Sequence, residues 1–330
     1  MNSDCTFFRE VKNVKFNQLV CATDVHVGGE TFRFINESEA FNANNFTNKQ
    51  KEFKGIAPLQ LKRLLEEPRG HSGMRICILM QPTMDGTDFK LAFLDSVGCS
   101  QFVEHGLLAA ATLLAELYHI QKNLFRFEHN GSIYNVSVVY NSNGETIKDA
   151  AFTESVGYEI ADIPFETSSV DVIRAGQYDV AVTDVVPFNL TLTNHDLHAL
   201  KKLAFRWFAK SKQIVKSPEA VNRLIFYQKN SNRTYRFITF DQNSRIDRSP
   251  YLGAWAFSAF LYHKGRIKEK TPFELCNFLN HNVHAEVIKS PTKSRVDQLD
   301  ITVKGKGYII ALHQFVIDSD DPLKDGFLLK

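Results

Sequence analysis

The chain has 330 residues, 44% of them apolar and 23% charged, with a formal net charge of +2. That is the make-up of an ordinary globular protein with length for about two domains, each able to bury its own core. Near-neutral charge with dispersed Lys and Arg argues against a nucleic-acid partner, and no run approaches the roughly 18 apolar residues of a membrane span.

The opening MNSDCTFFREVKNVKF lacks the apolar core of a signal peptide, since charges interrupt it by Arg9. Cys5, Cys21, Cys77, Cys99 and Cys276 form no CxxC pair and read as reduced thiols of a cytoplasmic protein. Alternation from Val14 to Phe34 predicts strands broken at Gly28-Gly29. A helix is expected over Phe53 to Glu66, terminated by Pro68. MRICILMQP and DFKLAFLD read as strands, and a β meander follows, with turns at Asn130-Gly131 and Asn143-Gly144. A composition shift near Glu154 to Gly157 marks the expected domain boundary. Strands around Tyr158–Ile163, Val170–Ile173 and Tyr178–Val182 precede an amphipathic helix over Leu197 to Lys212.

Two stretches organise this order. In SVGCSQFVEHGLLAAATLLAELYHI a small polar turn runs into an Ala/Leu helix expected from about Phe102 to Tyr118, with Glu104, His105 and Gly106 in its first turn. In RIDRSPYLGAWAFSAFLYHKGRI a second turn leads into an Ala/Phe/Leu helix, with Ser249 as expected N-cap and Pro250 at the first helical position. Unpaired N–H groups and the positive end of the dipole make such starts natural cradles for a carboxylate. The similar order of elements around both helices predicts a duplication, with one ligand held between two halves.

DVHVGGETFRF, EEPRGHSGM, the EHG helix start, DRSPYLGAWAFSAFLYHKG and HQFVIDSDDPLKDGFLL together resemble the proline racemase family in order and spacing, from about Phe16 to Leu329. That family holds proline racemases, hydroxyproline epimerases and trans-3-hydroxy-L-proline dehydratases. The resemblance implies a diaminopimelate-epimerase-like α/β (α+β) fold of two pseudosymmetric halves, each a curled sheet or barrel around a central helix. The halves would be residues 1–156, completed by about 308–330, and residues 157–307, with the ligand pocket between them. It also implies a cytosolic homodimer, a proline-like small-molecule ligand, and no metal or organic cofactor.

In the family a cysteine stands at each helix start, within CGHG and DRSPCGTG. A thiol of pKa ~8.5 lowered by a helix N-terminus suits proton exchange at Cα. Here those two positions carry Val103 and Tyr251, and the residues after them are Glu104, Leu252 and Gly253. Valine has no proton to exchange, and a tyrosine of pKa ~10 is a poor base. Cys99 would need a register slip that His105-Gly106 opposes, so it reads as a structural thiol. His105 and Gly106 match the family's first helix start, and Asp247, Arg248 and Ser249 its second; in the family the aspartate meets the substrate amine. Asp24, His26 and Gly28-Gly29-Glu30 match the opening block and read as structural. AVTDVVPF and HAEVIKSPTKS depart from the family's pocket-facing turns. His281, His284 and Glu286 lack the helical spacing of a zinc site.

Three expectations follow. The leading one is a binding or scaffolding homologue without racemase or epimerase activity. The second is a trans-3-hydroxy-L-proline dehydratase-type lyase, or another enzyme acting on proline or hydroxyproline, using Tyr251 or a rearranged residue. The third is a pocket retuned by Glu104 for a cation or a neutral metabolite.

Overall fold

The computed structural model describes residues 18–36, 59–96, 98–99, 104–175, 178–214, 221–231, 233–243, 245–251, 253–289 and 298–328. Strands β1 (Gln18–Val27) and β2 (Glu30–Asn36) form a hairpin whose turn is Gly28-Gly29, both at positive φ. Two consecutive left-handed residues suit the right-handed twist of flanking strands, and glycine adopts them without steric cost. Helix α1 (Leu59–Leu65) crosses over to β3 (Arg75–Met80), which runs parallel to β2. Of the helix expected from residue 53, residues 53–58 lie outside the described residues. Next come β4 (Phe89–Asp95) and the two-residue β5 (Gly98–Cys99). Helix α2 (Glu104–Thr112) widens into a π-helical turn over Leu113–Leu117, then delivers the chain to β6 (Leu124–His129), parallel to β4. The meander β6, β7 (Ser132–Tyr140) and β8 (Ile147–Phe165) completes the run.

The same order then recurs. β9 (Ser168–Ala175) and β10 (Tyr178–Asp184) form a hairpin, and α3 (Leu197–Ile214) crosses to β11 (Val221–Lys229), parallel to β10. β12 (Thr234–Asp241), the two-residue β13 (Ile246–Asp247) and α4 (Ala254–His263) lead to β14 (Phe273–Cys276), parallel to β12. β15 (Asn282–Lys289) and β16 (Gln298–Gly305) repeat the meander. Finally β17 (Tyr308–Ile317) returns to pair with β1, and a bridge from Phe327 to Glu67 ties down the C-terminal turn. β1 to β8 thus correspond one for one to β9 to β16, with the same parallel and antiparallel pairs.

Strand β8 joins the two. Its first part pairs with β7 and its last part with β9, while the residues between pair with β16, so the boundary expected near Glu154 falls inside an unbroken strand. Among the described strands, β8 to β12 with β14, β15 and β16 close a ring around α4. Both central helices are buried almost all round and share one hydrophobic core, while α1 and α3 each cover a smaller cluster on the outside. Helix α3 is amphipathic as expected: Leu200, Leu203, Trp207 and Phe208 face in, Lys201, Lys202 and Arg206 out. No described helix is long and apolar enough to cross a membrane.

One expected helix start is corrected. α4 begins at Ala254, not at Pro250, with Gly253 before it at φ 79°. Ser249 Oγ instead accepts from the Tyr251 N–H at 3.3 Å, and Ala254 N–H donates to Tyr251 O, making a turn ahead of the helix. A left-handed residue cannot sit inside an α-helix, so Gly253 sets the first turn regardless of the N-cap signal upstream.

Candidate functional site

The two helix starts meet where the halves pack. At the first, α2 opens with Glu104, and Val103 lies outside the described residues, as do Ser100 to Phe102. Gly106 has no room for a side chain, because a Cβ there would run into the Phe93 ring of β4. At the second, Leu252 is outside the described residues, and Gly253 lies against Ile225.

A buried ion network binds one half to the other beside these starts. Arg75, the first residue of β3, donates to Glu30 at 2.6 Å and to Asp247 of the other half at 2.7 Å. The Arg248 N–H donates to the second oxygen of Glu30 at 3.0 Å, and Arg223 stands 3.5 Å from Asp247. Burial works against ionisation of Asp247, but Arg75 and Arg223 outweigh it and hold the carboxyl below the ordinary aspartate value. Burial likewise opposes the charge on Arg75, and Glu30 and Asp247 more than restore it. The free volume left among Glu30, Gly73, Arg75, Asp95, Arg223 and Asp247 is about 30 Å³. Among the described residues, that is room for about one water.

A second junction lies at the start of α2. Trp255 Nε1, one residue into α4, donates to Glu104 Oε1 at 3.1 Å, and the Glu104 carboxyl also accepts from its own backbone N–H. Glu104 Oε2 and Glu154 Oε2 have no hydrogen-bond partner among the described residues. Burial, then the neighbouring Glu154, pushes Glu104 up to about 8, and burial pushes Glu154 up to about 7. The Tyr134 phenol is raised too, by burial and then by these two carboxyls.

His105 is wholly buried, its ring edge-on to Phe32 at 4.8 Å, with neither nitrogen hydrogen-bonded among the described residues. Burial, and next the charge on Arg75, lower its pKa to about 3, so the imidazole is neutral throughout the physiological range. Tyr251 is 1% exposed. Its hydroxyl has no partner among the described residues and points at Gly305, where any side chain would collide with it, and burial raises its pKa. Ser249 and Pro250 press on Gly28, and Asn277 Nδ2 locks that contact by donating to Gly28 O and Arg248 O.

The structure therefore brings Asp247, Arg248 and Glu104 to the junction of the halves, and sends Tyr251 into the core. Asp24 is spent on Arg33 and His313, and His26 stacks on Tyr308. Arg75, Arg223, Trp255, Glu154 and Tyr134 were not singled out from the sequence. The signal for Arg75 was a charged residue heading the otherwise apolar strand RICILM; Glu154 carried none. His281 precedes β15 while His284 and Glu286 lie on it, and no group of three potential metal ligands occurs among the described residues.

Comparison with known proteins gives a consistent picture. The family model described as proline racemase matches residues 22–328. The trans-3-hydroxy-L-proline dehydratase of Bacillus thuringiensis subsp. konkukian is 27% identical, over 96% of this chain and 100% of its own length. The proline racemase of Acetoanaerobium sticklandii is 25% identical, over 95% of this chain and 99% of its own. Among solved structures, a hydroxyproline epimerase from Agrobacterium vitis with bound trans-4-hydroxy-L-proline superposes with a TM-score of 0.78 at 20% identity, covering 96% of each chain. A Bacillus anthracis protein of the PhzF phenazine-biosynthesis family gives 0.62 at 10% identity, over 91% of this chain and 100% of its own. The fold is that of these structures: a mixed α/β architecture of two pseudosymmetric halves.

Proposed function

The chain belongs to the proline racemase family, and from that premise we propose that it is a binding or scaffolding member without racemase or epimerase activity. The observation that carries this reading is the place of Tyr251. The family's second base position holds a side chain whose hydroxyl is buried against Gly305, with its pKa raised by that burial. A general base must reach the proton it removes and be ionisable near the working pH, and this phenol meets neither condition. The first position, Val103, has no ionisable group.

Two further contacts support it. An amino acid brings a cation and an anion, and side chains of this protein take up groups suited to both. The Arg75 guanidinium sits on Asp247, the residue that the family resemblance assigns to the substrate amine. The Glu104 carboxyl sits at the helix start that would face the substrate carboxylate, bonded to Trp255. As in the family at large, the chain is proposed to act as a homodimer in the cytoplasm.

The test is Cα-proton exchange in deuterated water with proline and the hydroxyproline isomers. No exchange above the rate without protein is expected; exchange abolished by Tyr251→Phe would overturn the reading. A second reading, a lyase acting on trans-3-hydroxy-L-proline, has in its favour the similarity to the Bacillus dehydratase. It requires formation of a cyclic imine from that substrate, and pyrrole-2-carboxylate should then raise the melting temperature.

A further inference from the structure

The crossover helices α1 and α3 occupy equivalent places on the outside of the two halves, but their surroundings differ. Strand β17 flanks β1 on the edge away from β2, as the last part of β8 flanks β9 on the edge away from β10. After β17 the chain runs on into a turn, residues 318–327, that folds over α1 and the loop behind it. Asp325 accepts from Arg63 at 2.6 Å, Asp321 stands 3.6 Å from Arg69, and Phe327 bridges to Glu67. After β8 no such turn exists. Glu166 and Thr167 lead straight into β9, and Glu166 accepts from Arg206 of α3 at 2.7 Å.

Helix α3 nonetheless has the chemistry that calls for such a cover. Its 18 residues include five Lys or Arg and no Asp or Glu, against a net +2 for the whole chain. Arg206 is engaged by Glu166 and Lys210 lies over the Phe165 ring, while Lys201, Lys202 and Lys212 are exposed. Among them stands Phe205, 67% exposed. It lines a shallow groove of about 390 Å³ together with His198, Lys201, Lys202, Arg206 and Asn243, the last from the turn between β12 and β13. Single exposed apolar side chains are common on any surface. This one is set apart by the groove around it and by the one-signed charge along its rim.

We propose that this face of α3 is the docking site for an acidic segment of a partner protein. One apolar side chain of that segment would seat against Phe205, with its carboxylates on Lys201, Lys202 and Lys212. The turn over α1 is the pattern for it: four aspartates and one lysine around an exposed Leu323. A lipid surface fits less well, because a helix lying on a membrane buries a broad apolar face in it. Helix α3 has committed that face, Leu200, Leu203, Trp207 and Phe208, to the core. An aromatic anchor ringed by charges of one sign suits a segment of the opposite sign, with the ring supplying affinity and the charges orientation.

The experiment uses a labelled peptide of residues 318–327 as the acidic probe and reads its binding to the full-length protein by fluorescence anisotropy. Wild type should bind it, and Phe205→Ser and the double variant Lys201→Ala/Lys202→Ala should each weaken binding roughly tenfold. Raising the salt to about 0.5 M should weaken it too, because charges on an exposed rim are screened. A peptide with Asp318, Asp320 and Asp321 replaced by Asn should bind poorly, and Ile133→Ser, at an exposed position on β7, should change nothing. Absence of binding by wild type, or binding that neither α3 variant weakens, would overturn the proposal. Two other results would do the same. Self-association lost in Phe205→Ser, read by sedimentation, would give the face to a second copy of this chain. Retention of wild type but not Phe205→Ser on phosphatidylserine vesicles would give it to lipid. None of these outcomes bears on proton exchange at Cα, so this site and the proposed lack of activity stand or fall separately.

Discussion

The two central helices begin at equivalent places in a repeated fold, yet their starts are built from opposite materials. The first is polar and buried: Glu104, then a neutral His105 with no hydrogen-bond partner, then Gly106 beneath Phe93. The second is aromatic: Tyr251 against Gly305, a left-handed Gly253, then Ala254 and Trp255. The family's pattern puts a thiol and glycines at both, leaving space for a ligand between them. Here Trp255 at the second start donates a hydrogen bond to Glu104 at the first. A pseudosymmetric frame tolerates this because α2 and α4 are fixed by their burial in a shared core, so residues at their tips can diverge without moving the helices.

The largest expected effect tests whether the ion network, rather than the aromatic packing, holds the starts together. Arg75→Met removes the group that bridges Glu30 and Asp247 and leaves both carboxyls buried. Breaking one side of a buried ion pair costs about 3–5 kcal/mol. Urea unfolding should show that loss, and adding Glu30→Gln with Asp247→Asn should restore a good part of it. A loss that the double replacement cannot relieve would mean that Arg75 contributes through packing instead.

A smaller effect sets the two helix starts directly against each other. Gly106→Ala drives a methyl into the Phe93 ring, an overpacking cost of about 1–3 kcal/mol, partly offset by the ~1 kcal/mol by which alanine favours a helix over glycine. At the equivalent position of the second helix, Ala254→Gly should cost about 1 kcal/mol from propensity, plus a little lost packing. Equal and small losses at both, measured by urea unfolding, would show that Phe93 gives way and that the two starts are less different than they look.

These contrasts were only partly readable in the sequence. The repeat was, because hydrophobic period and turn residues are local, and the Gly28-Gly29 hairpin, α3 and both central helices lie where they were expected. The α4 start was not. Ser249-Pro250 is a good local N-terminal signal, but the conformation of Gly253 decides where helical geometry begins, and one sequence does not reveal the sign of φ. Arg75 escaped notice because its decisive partner lies 172 residues away. Glu104 was read as a competitor for a ligand's carboxylate, and its hydrogen bond to Trp255 joins residues 151 apart in the chain, which no local pattern announces. Tyr251 could be ranked as a poor base from its chemistry, but that it turns away into the core depends on the absence of a side chain at Gly305, 54 residues further on (305 − 251).

That last contact gives the smallest effect and the sharpest question about the second helix start. Tyr251→Phe deletes a hydroxyl that is buried without a partner and leaves the ring in place. A group in that state contributes its desolvation cost and no hydrogen bond, so its removal should be neutral or stabilising by up to about 1 kcal/mol. The melting temperature should rise slightly or stay unchanged, and amide-exchange protection at the start of α4 should not fall. A loss of more than about 1 kcal/mol would mean that the hydroxyl finds a partner in solution, an ordered water included. It would then stand in a polar setting like that of Glu104, and the contrast between the two helix starts would narrow to the ring alone.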